Sequence, residues 1–522
     1  MCESESGRAA TSTRWMIKSS KLSGVLRTTR IPTILVVMLF ASATETRAQN
    51  PRLELGRRLA RFENAWETAP SPQQVAAVPF LKTAVRSFFS LQLSEAGRQL
   101  DQAWLAVSNE DASNGLTTAM IGSQLLVSPR CAETGDGTLE LQLTSFYPTD
   151  TKPSPNTIAD LKLTRATGDS LAETQFTIPQ LANGTHWKIE QIPEGDHILS
   201  VIIRDNNSAF ALPPMTVSRI TGLKRRVQQL KDASMMLKEA TKSTAEHSSD
   251  ETLASTLRDE TRLIENVIEG LPQEADFPLL YRLKSSEAML ASRSKPTDFA
   301  DQPSGARQAW LTLAKGLRSV PTRLHLPQKH AKPAPVLVVF HGAGGSENMF
   351  FETYGAGRVI AEAANRGWIV ISPRQALFGL SLDISEMLDA LEAFVPLDRK
   401  RIMLLGHSMG ASQVVKQVRK NPTLPIAAIA LGGGGRLPSS DAKRSPQLAW
   451  YIGAGDQDFG LAAAQQLNQS LTESEIKSRF KVYANIEHLV VVQAAIDDSF
   501  EFLDEVLNNL PHSGSGDPPN TP

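Results

Sequence analysis

The sequence predicts an α/β fold for its C-terminal part, a mostly parallel sheet with helices on both faces, preceded by a helical region and a small β-sandwich. Two segments predict the sheet. In the first, Ile402-Met403-Leu404-Leu405 runs through Gly406-His407-Ser408-Met409-Gly410 into a helical stretch, Ala411 to Lys416. In the second, the unbroken apolar run Pro335 to Phe340 opens into His341-Gly342-Ala343-Gly344-Gly345-Ser346. Continuous apolar runs suit strands covered on both faces, as in parallel sheets with helical crossovers. A third observation separates the upstream regions: apolar spacing changes from helical to alternating and back before the first of these strands.

The chain of 522 residues is too long for one ordinary domain. Its hydrophobic content of 41% and charged content of 21% are those of a globular protein. A formal charge of −1 gives no footing for a phosphate backbone, so nucleic acid is not an expected partner.

The elements follow in order. Residues 1–48 read as an export signal: Lys18, Lys21, Arg27 and Arg30 precede the apolar run Ile31 to Ala43, which ends in small residues. That run is shorter than the roughly 20 residues a spanning helix needs, so cleavage near Ala43 or Ala48 and export to the periplasm or medium are expected, with an uncleaved anchor as the alternative. Cys2 would leave with the signal, and Cys131 would remain without an internal partner. Residues 49–117 form a helical region, with Leu55, Leu59, Phe62 and Trp66 on one face and Phe80, Leu81, Val85, Phe88 and Phe89 on another; Pro70-Ser71-Pro72 separates the helices.

Residues 118–222 alternate, as in Leu139-Glu140-Leu141-Gln142-Leu143, with turn clusters at Thr134 to Gly137, Asn183-Gly184 and Pro193 to Asp196, which predicts a small β-sandwich acting as a structural spacer. Residues 223–300 return to helical spacing with many charges and are expected to pack against the N-terminal helices. Lys295 to Gly305 reads as a linker, 301–510 as the catalytic domain, and 511–522 as a disordered tail.

A G-x-S-x-G pentapeptide between a buried strand and a helix is the setting of a nucleophile elbow, where a sharp turn exposes the serine and glycines relieve the crowding. Ser408 is therefore the expected nucleophile. Acyl transfer needs N–H donors aimed at the developing oxyanion, and the backbones of Gly342 or Ala343 and of Met409 are placed to supply them. His341 precedes the nucleophile and is expected to hold its loop. No phosphate-cradling G-K-[ST] follows that loop.

With such an elbow the carboxylate and then the base follow the serine in chain order. Downstream of Ser408 the only histidines are His488 and His512, and the second sits in the tail, so His488 is the expected base. The strand Leu448 to Ile452 runs into Gly453-Ala454-Gly455-Asp456-Gln457-Asp458; Asp456 stands nearer the strand end and is the expected acid, with Asp458 the alternative. Asp441, Glu473, Glu475 and Glu487 follow no buried strand and read as surface charge.

These residues bring a family into view. From about Arg307 to Leu510 the chain resembles the compact secreted esterases of the polyhydroxybutyrate-depolymerase, feruloyl-esterase and dienelactone-hydrolase-like group, within the α/β-hydrolase superfamily. The matching pieces are "SVPTRLHLP", "PVLVVFHGAGGSENMF", "GWIVISP", "DRKRIMLLGHSMGAS" and "WYIGAGDQD", with His488 last. Phe459-Gly460 and Ile486-Glu487 depart from the group's pattern, which bears on substrate preference. The resemblance implies a serine hydrolase that cleaves carboxylic esters through an acyl-enzyme, with no cofactor and no metal. One short helix between Gln375 and Asp398 leaves no inserted lid, and Gly432 to Ser445 would border an open pocket for small or polymer-end esters. A serine peptidase of the oligopeptidase type, and a binding protein on a silent hydrolase platform, are the rival readings.

Overall fold

The computed structural model describes residues 50–108, 114–189, 191–205, 208–241, 248–292, 307–327, 333–375 and 382–510. The expected signal, the Lys295–Gly305 linker and the tail with His512 lie outside them. All described residues fall in one unit, Arg47–Pro522.

Three helices open it: α1 (Pro51–Thr68), α2 (Ser71–Phe89) and α3 (Leu93–Val107). The Asn50 side chain accepts from the Arg52 N–H and Pro51 occupies the first turn, where its missing donor costs nothing. Leu55, Leu59, Phe62 and Trp66 pack with Leu81, Ala84 and Leu100 into one apolar cluster. A short α4 (Gly115–Met120) leads into strands β1 (Ser123–Ser128), β2 (Cys131–Glu133), β3 (Thr138–Ser145), β4 (Ile158–Arg165) and β5 (Ser170–Thr177). Helix α5 (Ile178–Ala182), β6 (Thr185–Lys188), β7 (Gly195–Asp205) and β8 (Ser208–Ile220) complete this region. A three-stranded sheet, β1-β3-β6, and a five-stranded sheet, β2-β8-β7-β4-β5, share one core. Alternation sets the inner faces: Leu139, Leu141 and Leu143 of β3 are buried, as are Leu199, Val201 and Ile203 of β7.

Helices α6 (Leu223–Thr241), α7 (Ser248–Ile268) and α8 (Leu279–Ser292) do not pack where the sequence suggested. Their apolar faces, including Leu230, Leu257, Ile264 and Leu283, join the core of the C-terminal sheet instead of the N-terminal helices. The reason is a sheet edge. Strand β9 (Arg307–Lys315) ends the C-terminal sheet, and its outward N–H groups need acceptors. Thr256 Oγ1 accepts from Thr312 N at 2.9 Å, and Thr252 Oγ1 accepts from Ala314 N at 3.1 Å. Threonines of α7 therefore close the edge.

The remaining strands are β10 (Arg318–Leu326), β11 (Ala334–Phe340), β12 (Ile369–Pro373), β13 (Leu397–His407), β14 (Pro425–Leu431), β15 (Ala449–Gly455) and β16 (Ser478–Tyr483). Between them run α9 (Met349–Glu352), a 3₁₀ turn (Tyr354–Gly357), α10 (Arg358–Asn365), α11 (Ile384–Glu392), α12 (Met409–Lys420), α13 (Ser439–Ala442) and α14 (Leu461–Thr472). A 3₁₀ turn (His488–Val490) and α15 (Val491–Asn508) follow β16. The spatial order is β16-β15-β14-β13-β11-β12-β10-β9. Only β10 runs antiparallel to both its neighbours, and β11 to β16 are otherwise parallel. Because β11 is fully buried and the sheet is covered on both faces, its strands carry the continuous apolar runs seen in the sequence.

Replacing Thr256 by Val keeps the shape and removes the acceptor, leaving the Thr312 N–H buried and unpaired. Urea denaturation is expected to show a loss of about 1–3 kcal/mol; a variant as stable as wild type would contradict the edge-closing role.

Candidate active site

Strand β13 ends at His407 and α12 begins at Met409, so the chain reverses at one residue. Ser408 holds that reversal at φ 59°, ψ −119°, a conformation unusual for a residue with a Cβ. Its N–H donates to Leu431 O at 2.8 Å, fixing it to β14. Two glycines make the turn possible. A Cβ on Gly406 would stand 2.2 Å from Gly410 O, and one on Gly410 would stand 1.9 Å from Phe340 O. No side chain fits either place.

His488 enters from the loop after β16 and is buried. Its Nδ1 lies 2.6 Å from Asp458 Oδ1, which also accepts from Gly460 N at 2.6 Å. The Asp458 side chain has no exposure. Burial alone would raise its pKa, but the hydrogen bond and charge of His488 outweigh that and hold the carboxyl below its usual range. Asp456, the sequence's first choice for this position, stands elsewhere. It is exposed, and its Oδ1 accepts from Asn485 N at 2.8 Å. The correction has a local cause: β15 stops at Gly455, the next residue turns outward, and the Asp458 N–H bonds back to Gly455 O at 3.2 Å, returning the chain to the sheet end. The Asp458-Phe459-Gly460 spacing, with an aspartate accepting from the N–H two residues on, was the available signal.

The glycine-rich loop after β11 is held from within. His341 Nδ1 donates to Gly342 O at 2.8 Å and its Nε2 accepts from Gln375 N at 3.0 Å. Burial lowers this imidazole to about 4, so it stays neutral and works as a peg. His407 donates from Nε2 to His488 O at 3.0 Å, and burial with the neighbouring His488 lowers it to about 3. Of the expected oxyanion donors, Gly342 is already engaged: its N–H donates to the Tyr354 hydroxyl at 3.2 Å. Ala343 N and Met409 N make no hydrogen bond among the described residues.

Ser408, His407, His488 and the Gly342–Gly345 backbone line one cavity of about 360 Å³. Its opposite wall is a surprise of the tertiary structure: Leu55 and Leu59 of α1, Val85 and Phe88 of α2, and Leu100 of α3. The expected border, residues 432–445, contributes none of the lining. Helices α1–α3 cluster with Val490, Ile486 and Leu489 of the loop that bears His488. Phe459 lies against His488, tilted at 36° with centroids 3.9 Å apart, and meets Phe89 of α2 edge-on. Lys82 of α2 donates to Gln457 at 2.7 Å, next to Asp458 in the chain. Arg52, Arg57, Glu274 and Asp276 form a polar end to the same cavity. Among the described residues no group of three or more metal-binding side chains occurs.

Glu487, read from sequence as surface charge, is buried against this site; its Oε2 accepts from Leu489 N at 2.8 Å. Burial pushes its carboxyl up to about 7. The folded protein thus binds this proton more tightly than the unfolded chain, where a glutamate titrates near about 4.3. Stability from this group is complete below that lower value and declines as pH rises to about 7. Glu487→Gln keeps an acceptor for Leu489 and cannot ionise. Its unfolding free energy should exceed that of wild type by something on the order of 1–3 kcal/mol at pH 8 and show no gain at pH 4; equal effects at both pH values would contradict the buried ionisation.

Residues 336–483 match the model of the alpha/beta hydrolase family. No curated protein matches. Among solved structures, the fluorophosphonate-binding serine hydrolase F of Staphylococcus aureus is 16% identical over 38% of this chain and 98% of its own, with a TM-score of 0.34. The feruloyl esterase module of Clostridium thermocellum complexed with sinapinate is 15% identical over 41% of this chain and 93% of its own, TM-score 0.34. An S-formylglutathione hydrolase from Agrobacterium tumefaciens is 16% identical over 39% and 96%, TM-score 0.33. The strand order, the single reversed strand β10 and the glycine-flanked serine turn, with the family match over residues 336–483, give the C-terminal part of this chain the α/β-hydrolase fold.

Proposed function

We propose that this protein is a serine hydrolase that cleaves carboxylic esters, with Ser408 as nucleophile, His488 as base and Asp458 as the acid that orients it. The observation that carries this reading is the buried 2.6 Å bond between His488 Nδ1 and Asp458 beside the strained serine turn, with His488 and Ser408 facing one cavity. An Nδ1–H given to Asp458 leaves the lone pair on Nε2. That nitrogen takes the Ser408 proton as Oγ bonds to the ester carbonyl carbon, and the carbonyl oxygen becomes an oxyanion facing the Ala343 and Met409 N–H groups. Collapse breaks the bond to the alcohol oxygen, which leaves with the proton held by His488. Water, deprotonated by the same imidazole, then attacks the acyl-enzyme and releases the acid.

The apolar wall from α1, α2 and α3 favours a small neutral ester with an apolar acyl or alcohol group over a polymer chain, because a cavity of about 360 Å³ between helices and sheet admits a compact ligand. We place the protein outside the cytoplasm on the strength of the basic-then-apolar N-terminal segment.

The test is a panel of p-nitrophenyl esters of rising chain length, run with feruloyl and hydroxybutyrate esters and with peptide p-nitroanilides. Esters should be turned over and anilides should not; preferential cleavage of the anilides would replace this reading with the peptidase one. Ser408→Ala should abolish turnover and labelling by a fluorophosphonate. Asp458→Ala should lower kcat by about 10³- to 10⁴-fold, while Asp456→Ala stays within about twofold of wild type; the reverse ranking would transfer the acid to Asp456.

A further inference from the structure

The engagement of the Gly342 N–H leaves a question about the oxygen that engages it. Tyr354 is 4% exposed, and its ring is fixed edge-on between Phe350, 5.1 Å away, and His407, 4.8 Å away. Its hydroxyl accepts from Gly342 N, so the lone pair on that side is used and the O–H proton points elsewhere. Among the described residues that proton has no acceptor. Nδ1 of His407, whose ring Tyr354 meets edge-on, is likewise without a hydrogen-bond partner among the described residues. A buried O–H without an acceptor costs free energy unless something arrives to receive it.

The cavity supplies the place. Tyr354 lines it together with Ser408. A Cβ on Gly342 would lie 2.8 Å from the Tyr354 hydroxyl and 3.3 Å from Ser408 Cβ, so phenol and nucleophile flank the same peptide unit. The backbone that presents Tyr354 is unusual too. Gly355, Ala356 and Gly357 all have positive φ, at 59°, 49° and 84°. Helix α1 holds this strained turn: Glu63, fully buried, accepts from Ala356 N at 3.2 Å.

We propose that the Tyr354 hydroxyl is an oxyanion donor, acting with the N–H groups of Ala343 and Met409 in the position that the Gly342 N–H would otherwise take. The inference rests on the serine-hydrolase reading above. A phenol suits the task because burial raises its pKa, so it keeps its proton at any working pH. Glu63 is a positioning residue: it carries the influence of the N-terminal helices to the reacting oxygen through the 354–357 turn.

The experiment uses the full chain, p-nitrophenyl butyrate and a fluorophosphonate probe. Wild type labelled at Ser408 establishes the nucleophile; no label overturns the hydrolase reading and this inference with it. Given label, Tyr354→Phe should lower kcat by about 30- to 300-fold, with KM within about twofold, since the interaction forms only as charge develops. It should also weaken a trifluoromethyl ketone by a similar factor while leaving binding of the product acid unchanged. A kcat within about threefold of wild type, in a folded variant, overturns the inference alone. Should the Phe variant not fold, 2,3,5-trifluorotyrosine at 354 provides the reading, because its acidic phenol ionises at moderately alkaline pH and would then repel the oxyanion. A new alkaline loss of kcat is expected; a pH profile that superimposes on wild type overturns the proposal.

Discussion

The site depends on one steric constraint: strand β13 must reverse into α12 at Ser408 while passing within van der Waals contact of strand β11. The gap between Gly410 and Phe340 O has no room for a Cβ, and neither does that between Gly406 and Gly410. That crowding is what pushes the serine out into a cavity at the carboxyl ends of the parallel strands, where α/β sheets gather their functional groups. The strain of a serine at φ 59° is sustained by the buried sheet around it, whose strands β11, β13, β14 and β15 have almost no exposure over their apolar runs.

The N-terminal half is built into the same structure. Arg58 and Arg61 of α1 bind Asp101 of α3, which also accepts from the Tyr147 hydroxyl at the end of the β region. Asp196 of β7 accepts from the Leu280 and Tyr281 N–H groups, satisfying orphan donors at the start of α8. Helix α8, with α6 and α7, packs on the hydrolase sheet. The β region is thereby tied to the C-terminal sheet on one side through α8 and on the other through α1 and α3. Buried charges of this kind are costly when a partner is missing, so the arrangement favours one relative placement of helices, β sheets and catalytic domain.

The consequence for chemistry is that the pocket is assembled from two distant stretches of chain. The sheet end contributes the polar, reactive half. Helices α1–α3 contribute the apolar half and press on the loop that bears His488. A largely apolar lining strengthens the charge interactions beside it, which is the setting in which an oriented imidazole and a few fixed donors act most strongly.

What the sequence determined by itself was whatever depends on neighbours along the chain. Continuous apolar runs announced buried parallel strands, Gly406-x-Ser408-x-Gly410 between strand and helix announced the turn, and chain order left His488 as the one histidine that could reach it. Each of these is local, because period, steric room and order are properties of a few consecutive residues. The tertiary structure decided the rest. Whether Asp456 or Asp458 meets His488 turns on how one loop folds back after Gly455, and two residues of spacing carry no record of that path. That threonines and charges of α7 would close a sheet edge, that Glu487 would be buried, and that Leu55, Phe88 and Tyr354 would face Ser408 depend on contacts between segments far apart in the chain. An amphipathic helix shows in its sequence that one face will be covered, but what covers it is a matter of which surfaces meet in space.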